Sequence, residues 1–223
     1  MRVLVAPKER EKVGAKTRRT VIGDDVSCLP KIYQDDVNMA IWNRSLDPLL
    51  HASVAHLVET DPGFQIGLMT TPRSVYKSLV KALPDSDTDV LAEDVACLVD
   101  MFSYLFEVER VGLRLTVLRG AMCPRFHVDK VPCRLISTYV GPGTQWLEHQ
   151  TVDRSKLGPS ACPESDHQRG TYTSEQDIRV VQSGAVGLLK GEAWDGNEGA
   201  GLVHRSPSVE GASRLLLTLD FGR

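Results

Sequence analysis

The sequence predicts an α+β chain, with a β-barrel or jelly roll in its C-terminal half and helices from its N-terminal half laid against it. Two observations carry this expectation. Between Asp47 and residue 110 the apolar residues recur at helical spacing; beyond residue 110 they recur at every second position, in short runs divided by turn residues. A third observation concerns chemistry: RFHVDKVPCRL, residues 125 to 135, places His127 and Asp129 two residues apart in what reads as a strand, so that both point to one face.

Residues 1–30 read as an N-terminal arm. Its basic residues are interrupted by Glu9 and Glu11, and no aromatic residues are interleaved for base stacking, so a solvated arm is expected rather than a nucleic-acid contact. Residues 31–110 read as mainly helical support. In DPLLHASVAHLVET, Asp47 is the N-cap and Pro48 the first helical residue. His51 and His56 lie five apart on that helix, on different faces, and are not joint ligands. FQIGLM (64–69) reads as a short strand and PRSVYKSLVKAL (72–83) as a second helix. A third helix follows PDSDTD, where Leu91, Val95, Leu98, Phe102 and Leu105 form a core-facing stripe.

From 111 to 223 the runs GLRLTVL, CRLISTYV, IRVVQS, AVGLLKGEAW, GLVHRS and RLLLTLDF read as strands, divided by turn segments such as GPG, DGNEGAG and VEGAS. Residues 149–177 are polar, hold Gly and Pro and lack periodicity. A loop of that length inside a domain reads as a lid over a site.

At 223 residues the chain fits a single domain spanning 1–223. With 42% hydrophobic and 25% charged residues and a net charge of -3, bulk charge gives no reason to expect nucleic acid as a partner. No stretch reaches the roughly 20 apolar residues of a membrane span, and MRVLVAP is too short for a signal-peptide core, so a cytoplasmic protein is expected. The five cysteines are widely spaced with no C-x-x-C pair, which argues against a disulfide framework and a zinc ribbon; most read as plain buried thiols. Oligomeric state stays open.

His204 lies in GLVHRS, the penultimate predicted strand, and Arg214 begins the last strand ten residues further on. Two imidazoles and one carboxylate suit ferrous iron and leave open positions for other ligands. An arginine inside the barrel presents a planar fork that can hold a carboxylate of a dicarboxylate co-substrate.

This constellation resembles the iron(II)/2-oxoglutarate-dependent dioxygenases. Their core is a double-stranded β-helix with H-x-D early, a distal His on its seventh core strand and an Arg on its eighth. The segments FHVD, CRLISTYVGPGTQWL, LLKGE and VHRSP also resemble the bacterial family DUF1826, along most of the chain. The dioxygenase resemblance covers residues 110 to 221. It implies that His127, Asp129 and His204 bind Fe(II) and are catalytic, that Arg214 clamps the distal carboxylate of 2-oxoglutarate, and that dioxygen is the oxidant. An R-x-S pattern found in some branches is absent, since Leu215 and Leu216 follow Arg214; the second carboxylate donor is then expected from Thr138, Tyr139 or Thr144. Asp129 stands where related halogenases have a small residue, which implies a hydroxylase acting on a small-molecule or amino-acid-like substrate. Trp146, Trp194 and Tyr172 are candidates to line its pocket, or simply pack.

Three other readings of the same residues remain. Cys123 and Cys133 with His127, Asp129 and His204 could form a zinc site in a cupin-like protein involved in metal handling. The barrel could be an interaction module without chemistry. At the level of side chains, Asp129 could pair with Lys130 or Arg134, His204 could be a satisfied core histidine, and Arg214 could belong to an ion pair at the barrel end.

Overall fold

The computed structural model describes residues 17–84, 88–158 and 164–222. The chain opens with two parallel strands, β1 (Arg19–Gly23) and β2 (Val37–Trp42), joined by a 3-10 turn at Val26–Tyr33 whose entry is capped by Asp25. Helix α1 (Pro48–Thr60) follows, with the Asp47 carboxylate accepting from Leu49 N as the Asp-Pro pair predicts. Then come β3 (Gln65–Thr70), α2 (Val75–Ala82) and α3 (Asp89–Phe106). The second half supplies β4 (Val111–Leu118), β5 (Cys133–Val140), β6 (Gln145–Leu147), β7 (Ile178–Val180), β8 (Val186–Lys190), β9 (Val203–Arg205) and β10 (Arg214–Phe221).

Seven strands form one sheet in the order β1-β2-β8-β5-β10-β4-β3, and three form a second in the order β7-β6-β9. This is the double-stranded β-helix, with helices on the outer face of the larger sheet. Side-chain alternation divides the interior into two layers. Leu135 and Tyr139 of β5 and Leu215, Leu217 and Leu219 of β10 join the cluster that receives Leu91, Val95, Leu98 and Phe102 of α3. Ile136 and Leu216, one position over, point between the sheets and meet Met39, Ile41, Trp146 and Leu189. The α3 stripe is therefore core, and Leu105 packs at its edge.

Three sequence expectations change. Residues 19–42, read as arm and helical support, contribute β1 and β2 to the larger sheet; residues 1–16 of the arm lie outside the described residues. The alternation of β1 is hard to see because Val21 alone of RTVIG is buried, as befits an edge strand. The H-x-D segment is not a regular strand: only His127 pairs, through a single bridge to His204. Finally, part of the loop 149–177 is held against the barrel. Residues 159–163 lie outside the described residues, but beyond them Asp166 is buried, accepts from Phe126 N at 2.9 Å and faces Arg205 and Arg125 at 3.4 and 3.7 Å. Tyr172 packs edge-on against Phe126, with ring centroids 5.6 Å apart. Residues 164–177 thus form a strap beneath the His127 backbone.

Candidate metal centre and its arginine pocket

His127 and His204 sit directly opposite each other and exchange both backbone hydrogen bonds, each 3.0 Å long. In an antiparallel pair, opposed residues project to the same face. The imidazoles accordingly lie with centroids 4.6 Å apart. The Asp129 carboxylate closes the group, with Oδ1 3.7 Å from His127 Nε2 and Oδ2 3.4 Å from His204 Nε2. One ligand atom from each residue lies within 4.8 Å of the others.

The far nitrogens of both rings are committed to backbone. His127 Nδ1 is 2.9 Å from Arg125 O and His204 Nδ1 is 3.3 Å from Leu202 O. A carbonyl can only accept, so Nδ1 carries the proton and Nε2 presents its lone pair to the space beside Asp129. Burial, with the neighbouring His204 charge, holds His127 below the ordinary imidazole value and favours the neutral, ligating form. Burial pushes the Asp129 carboxyl up, but His204, Arg134 and His127 more than offset this and bring it down to about 2. The donor set is thus two imidazole Nε2 atoms and one carboxylate, which fits a divalent ion such as iron(II).

Arg134 fixes the carboxylate. From β5 its Nη1 donates to Asp129 Oδ2 at 2.7 Å, while Nε and Nη2 donate to Asp220 at 2.8 and 2.9 Å. The Asp129–Arg134 pair considered from the sequence does form, but it supports the metal group instead of replacing it. The backbone is fastened as well. Glu192 N donates to Asp129 O and Gly191 N to Pro132 O, an approach so close that a β-carbon on Gly191 would collide with the Val131 carbonyl.

Arg214 lies in the same cavity as His127 and His204 and is 1% exposed. Its guanidinium donates to Thr138 Oγ1 at 3.0 and 3.3 Å and to Thr144 Oγ1 at 2.6 Å, and forms no ion pair with any described residue. Burial lowers its pKa to about 10, the mark of a cation lacking an anion. Thr138 and Thr144 each keep a hydroxyl proton to offer a ligand.

Tyr139 does not take part. Alternation along β5 turns it to the helical side, where its hydroxyl donates to Asp94 Oδ2 at 2.6 Å beside Arg44. Of the pocket aromatics, Trp146 packs between the sheets, Tyr172 lies behind Phe126, and Trp194 is on the far side against Lys190, Tyr33 and Phe106. Cys133 is buried on the helical face of β5, with burial pushing its thiol far up, and so cannot join a zinc set. Cys28 is also buried, Cys97 and Cys123 are exposed, and Cys162 lies outside the described residues. Sequence reasoning missed the supporting roles of Arg134 and Asp166. The signal for Arg134 was its place on the Ile136 and Thr138 face of β5; none marked Asp166.

The architecture is that of a double-stranded β-helix protein carrying a His-Asp-His group. It is similar to a dioxygenase for auxin oxidation from rice, with a TM-score of 0.51 and 11% identity over 92% of this chain and 82% of that one. A prolyl-4-hydroxylase from Pseudomonas putida matches with a TM-score of 0.45 and 11% identity over 88% of this chain and 97% of that one. Residues 23–220 match the family described as "Protein of unknown function (DUF1826)", and the chain belongs to that family. No curated protein matches the sequence. Among the described residues, no helix is long and apolar enough to cross a membrane.

Proposed function

We propose that the protein is an iron(II)- and 2-oxoglutarate-dependent oxygenase of hydroxylase type, acting on a small-molecule or amino-acid-like substrate. The observation that carries this reading is Arg214: a guanidinium 1% exposed, without an acid partner among the described residues, lining one cavity with two imidazoles whose Nε2 atoms face the Asp129 carboxylate. An unpaired buried cation is costly unless a ligand supplies the missing charge.

His127, Asp129 and His204 would hold the metal, and Arg214 the distal carboxylate of the co-substrate. When bound, iron and 2-oxoglutarate supply activation of dioxygen, coupled to conversion of the co-substrate to succinate and carbon dioxide. The chain's part is to position and to desolvate. Arg134 keeps Asp129 ionised and aimed, the Arg125 and Leu202 carbonyls fix the imidazole tautomers, and Thr138 and Thr144 set the plane of the Arg214 fork. Anaerobic titration with iron(II) and 2-oxoglutarate tests the reading. A visible metal-to-ligand charge-transfer band that saturates with both components is expected; tight zinc binding without any 2-oxoglutarate affinity would overturn it.

A further inference from the structure

The cavity beside the metal group is walled by four arginines, Arg114, Arg134, Arg205 and Arg214, and by no carboxylate. Three of them are accounted for. Arg134 is matched by Asp129 and Asp220, and Arg205 by Asp166 while its guanidinium lies 4.3 Å over the Phe126 ring. Arg214 answers to the co-substrate in the reading above. Arg114 remains, with no hydrogen bond or ion pair to any described residue.

A second group in the same wall is unsatisfied. Thr116 is 5% exposed, and its hydroxyl has no hydrogen-bond partner among the described residues. A buried hydroxyl left unpaired is destabilising unless a ligand or water completes it. Arg114 and Thr116 are two positions apart on β4 and therefore project to the same face, the one that looks toward the small sheet. Leu113, Leu115 and Val117 alternate with them into the helical core. Arg114 is paired across β3 with Gly67, and a β-carbon there would meet nothing within 4 Å, so the sheet leaves open room beside the guanidinium.

We propose that Arg114 and Thr116 form the subsite for the primary substrate, and that this substrate is a carboxylate-bearing small molecule. This rests on the oxygenase reading and names the substrate class it lacks. A guanidinium and a hydroxyl both donate, so their complement is an acceptor carrying negative charge. One unpaired cation matches one carboxylate better than a phosphate, which carries close to two charges. The subsite is separate from Arg214, which lies on β10 and is already oriented by Thr138 and Thr144.

The test uses the full chain, held without oxygen with iron(II) and saturating 2-oxoglutarate so that Arg214 is engaged. Calorimetry compares matched acid and amide probes, from acetate and acetamide to hexanoate and hexanamide. The best-fitting acid is expected to bind about 10-fold more tightly than its amide, since charge-assisted hydrogen bonds are roughly twice as strong as neutral ones. Arg114→Gln should erase that preference, Arg114→Lys should retain part of it, and Thr116→Val should weaken acid binding by a few-fold. Arg114 is exposed, so its replacement does not threaten the fold. No acid preference in any pair overturns the proposal, as does a preference that survives Arg114→Gln but is lost in Arg214→Ala. The chelate band is read in the same samples. Its absence beside an Arg114-dependent acid preference counts against the oxygenase reading alone, and its presence without acid preference counts against the subsite alone.

Discussion

His127 and His204 come from distant parts of the chain and are locked face to face by two backbone hydrogen bonds of 3.0 Å, independently of any side-chain contact. The spacing of the two imidazoles is therefore a property of the backbone. Replacing either histidine, or Asp129, with alanine should leave the fold intact and remove most bound iron, because two ligands hold this labile ion poorly. Iron content per chain after desalting checks this, and full occupancy in His204→Ala would sink the assignment.

Arg214 should control 2-oxoglutarate and not metal. Losing one partner of a buried charge pair costs on the order of 2 to 5 kcal/mol, so Arg214→Ala should weaken 2-oxoglutarate binding by roughly 30-fold or more. Arg214→Lys should recover little, since a point charge cannot reproduce the fork that Thr138 and Thr144 align. Calorimetric titration at constant iron reads both variants.

Arg134 should matter to the metal without touching it. Arg134→Leu frees the Asp129 carboxylate and leaves Asp220 without its bidentate partner. Loss of such a supporting contact typically lowers metal affinity by about 10- to 100-fold. Competition with a chromophoric chelator measures the change; wild-type affinity would mean that Asp129 holds its position unaided.

Tyr139→Phe separates the two faces of β5. The lost hydroxyl donates to Asp94, which keeps its two bonds from Arg44, so stability should fall by about 1.5 to 3 kcal/mol, the worth of one hydrogen bond to a charged group. Affinity for 2-oxoglutarate should not change. Urea unfolding and a co-substrate titration on the same preparation give both values, and a weakened co-substrate with unchanged stability would return Tyr139 to the site.

Asp166→Ala should loosen the strap. It removes the acceptor for Phe126 N and the counter-charge for Arg205, leaving a buried N–H unpaired next to His127. A loss of about 1 to 3 kcal/mol in stability is expected. Faster amide exchange at Phe126 and His127 should accompany it; unaltered exchange there would show that the strap does not support the histidine.

The elements legible in the sequence were those with an unmixed period. Helix α1 announces itself through Asp47 and Pro48, α3 through its Leu91 to Phe102 stripe, and β4, β5 and β10 through alternation against the core. The metal group was legible because H-x-D, the later histidine and the arginine keep their order along the chain. What could not be read depended on partners far away in sequence. β2 becomes a strand by joining β8 and β1 by joining β2, Asp166 is buried because Phe126 N and Arg205 reach it, and which side of β5 faces the cavity is settled by packing against the helices. Of the three expected carboxylate donors, Thr138 and Thr144 bond Arg214 while Tyr139 turns to Asp94: alternation says that neighbours diverge, and only the tertiary structure says which way.

The bridge between His127 and His204 joins residues 77 positions apart, so the metal group is complete only late along the chain. The two histidines cannot meet until the chain has reached β9, whose His204 both bridges to His127 and pairs with Trp146 of β6. A growing or half-folded chain offers only His127 and Asp129, too few ligands to retain iron. On the proposed reading, a redox-active ion would be retained only once the barrel is shut, so that oxidising chemistry would begin only inside a finished container.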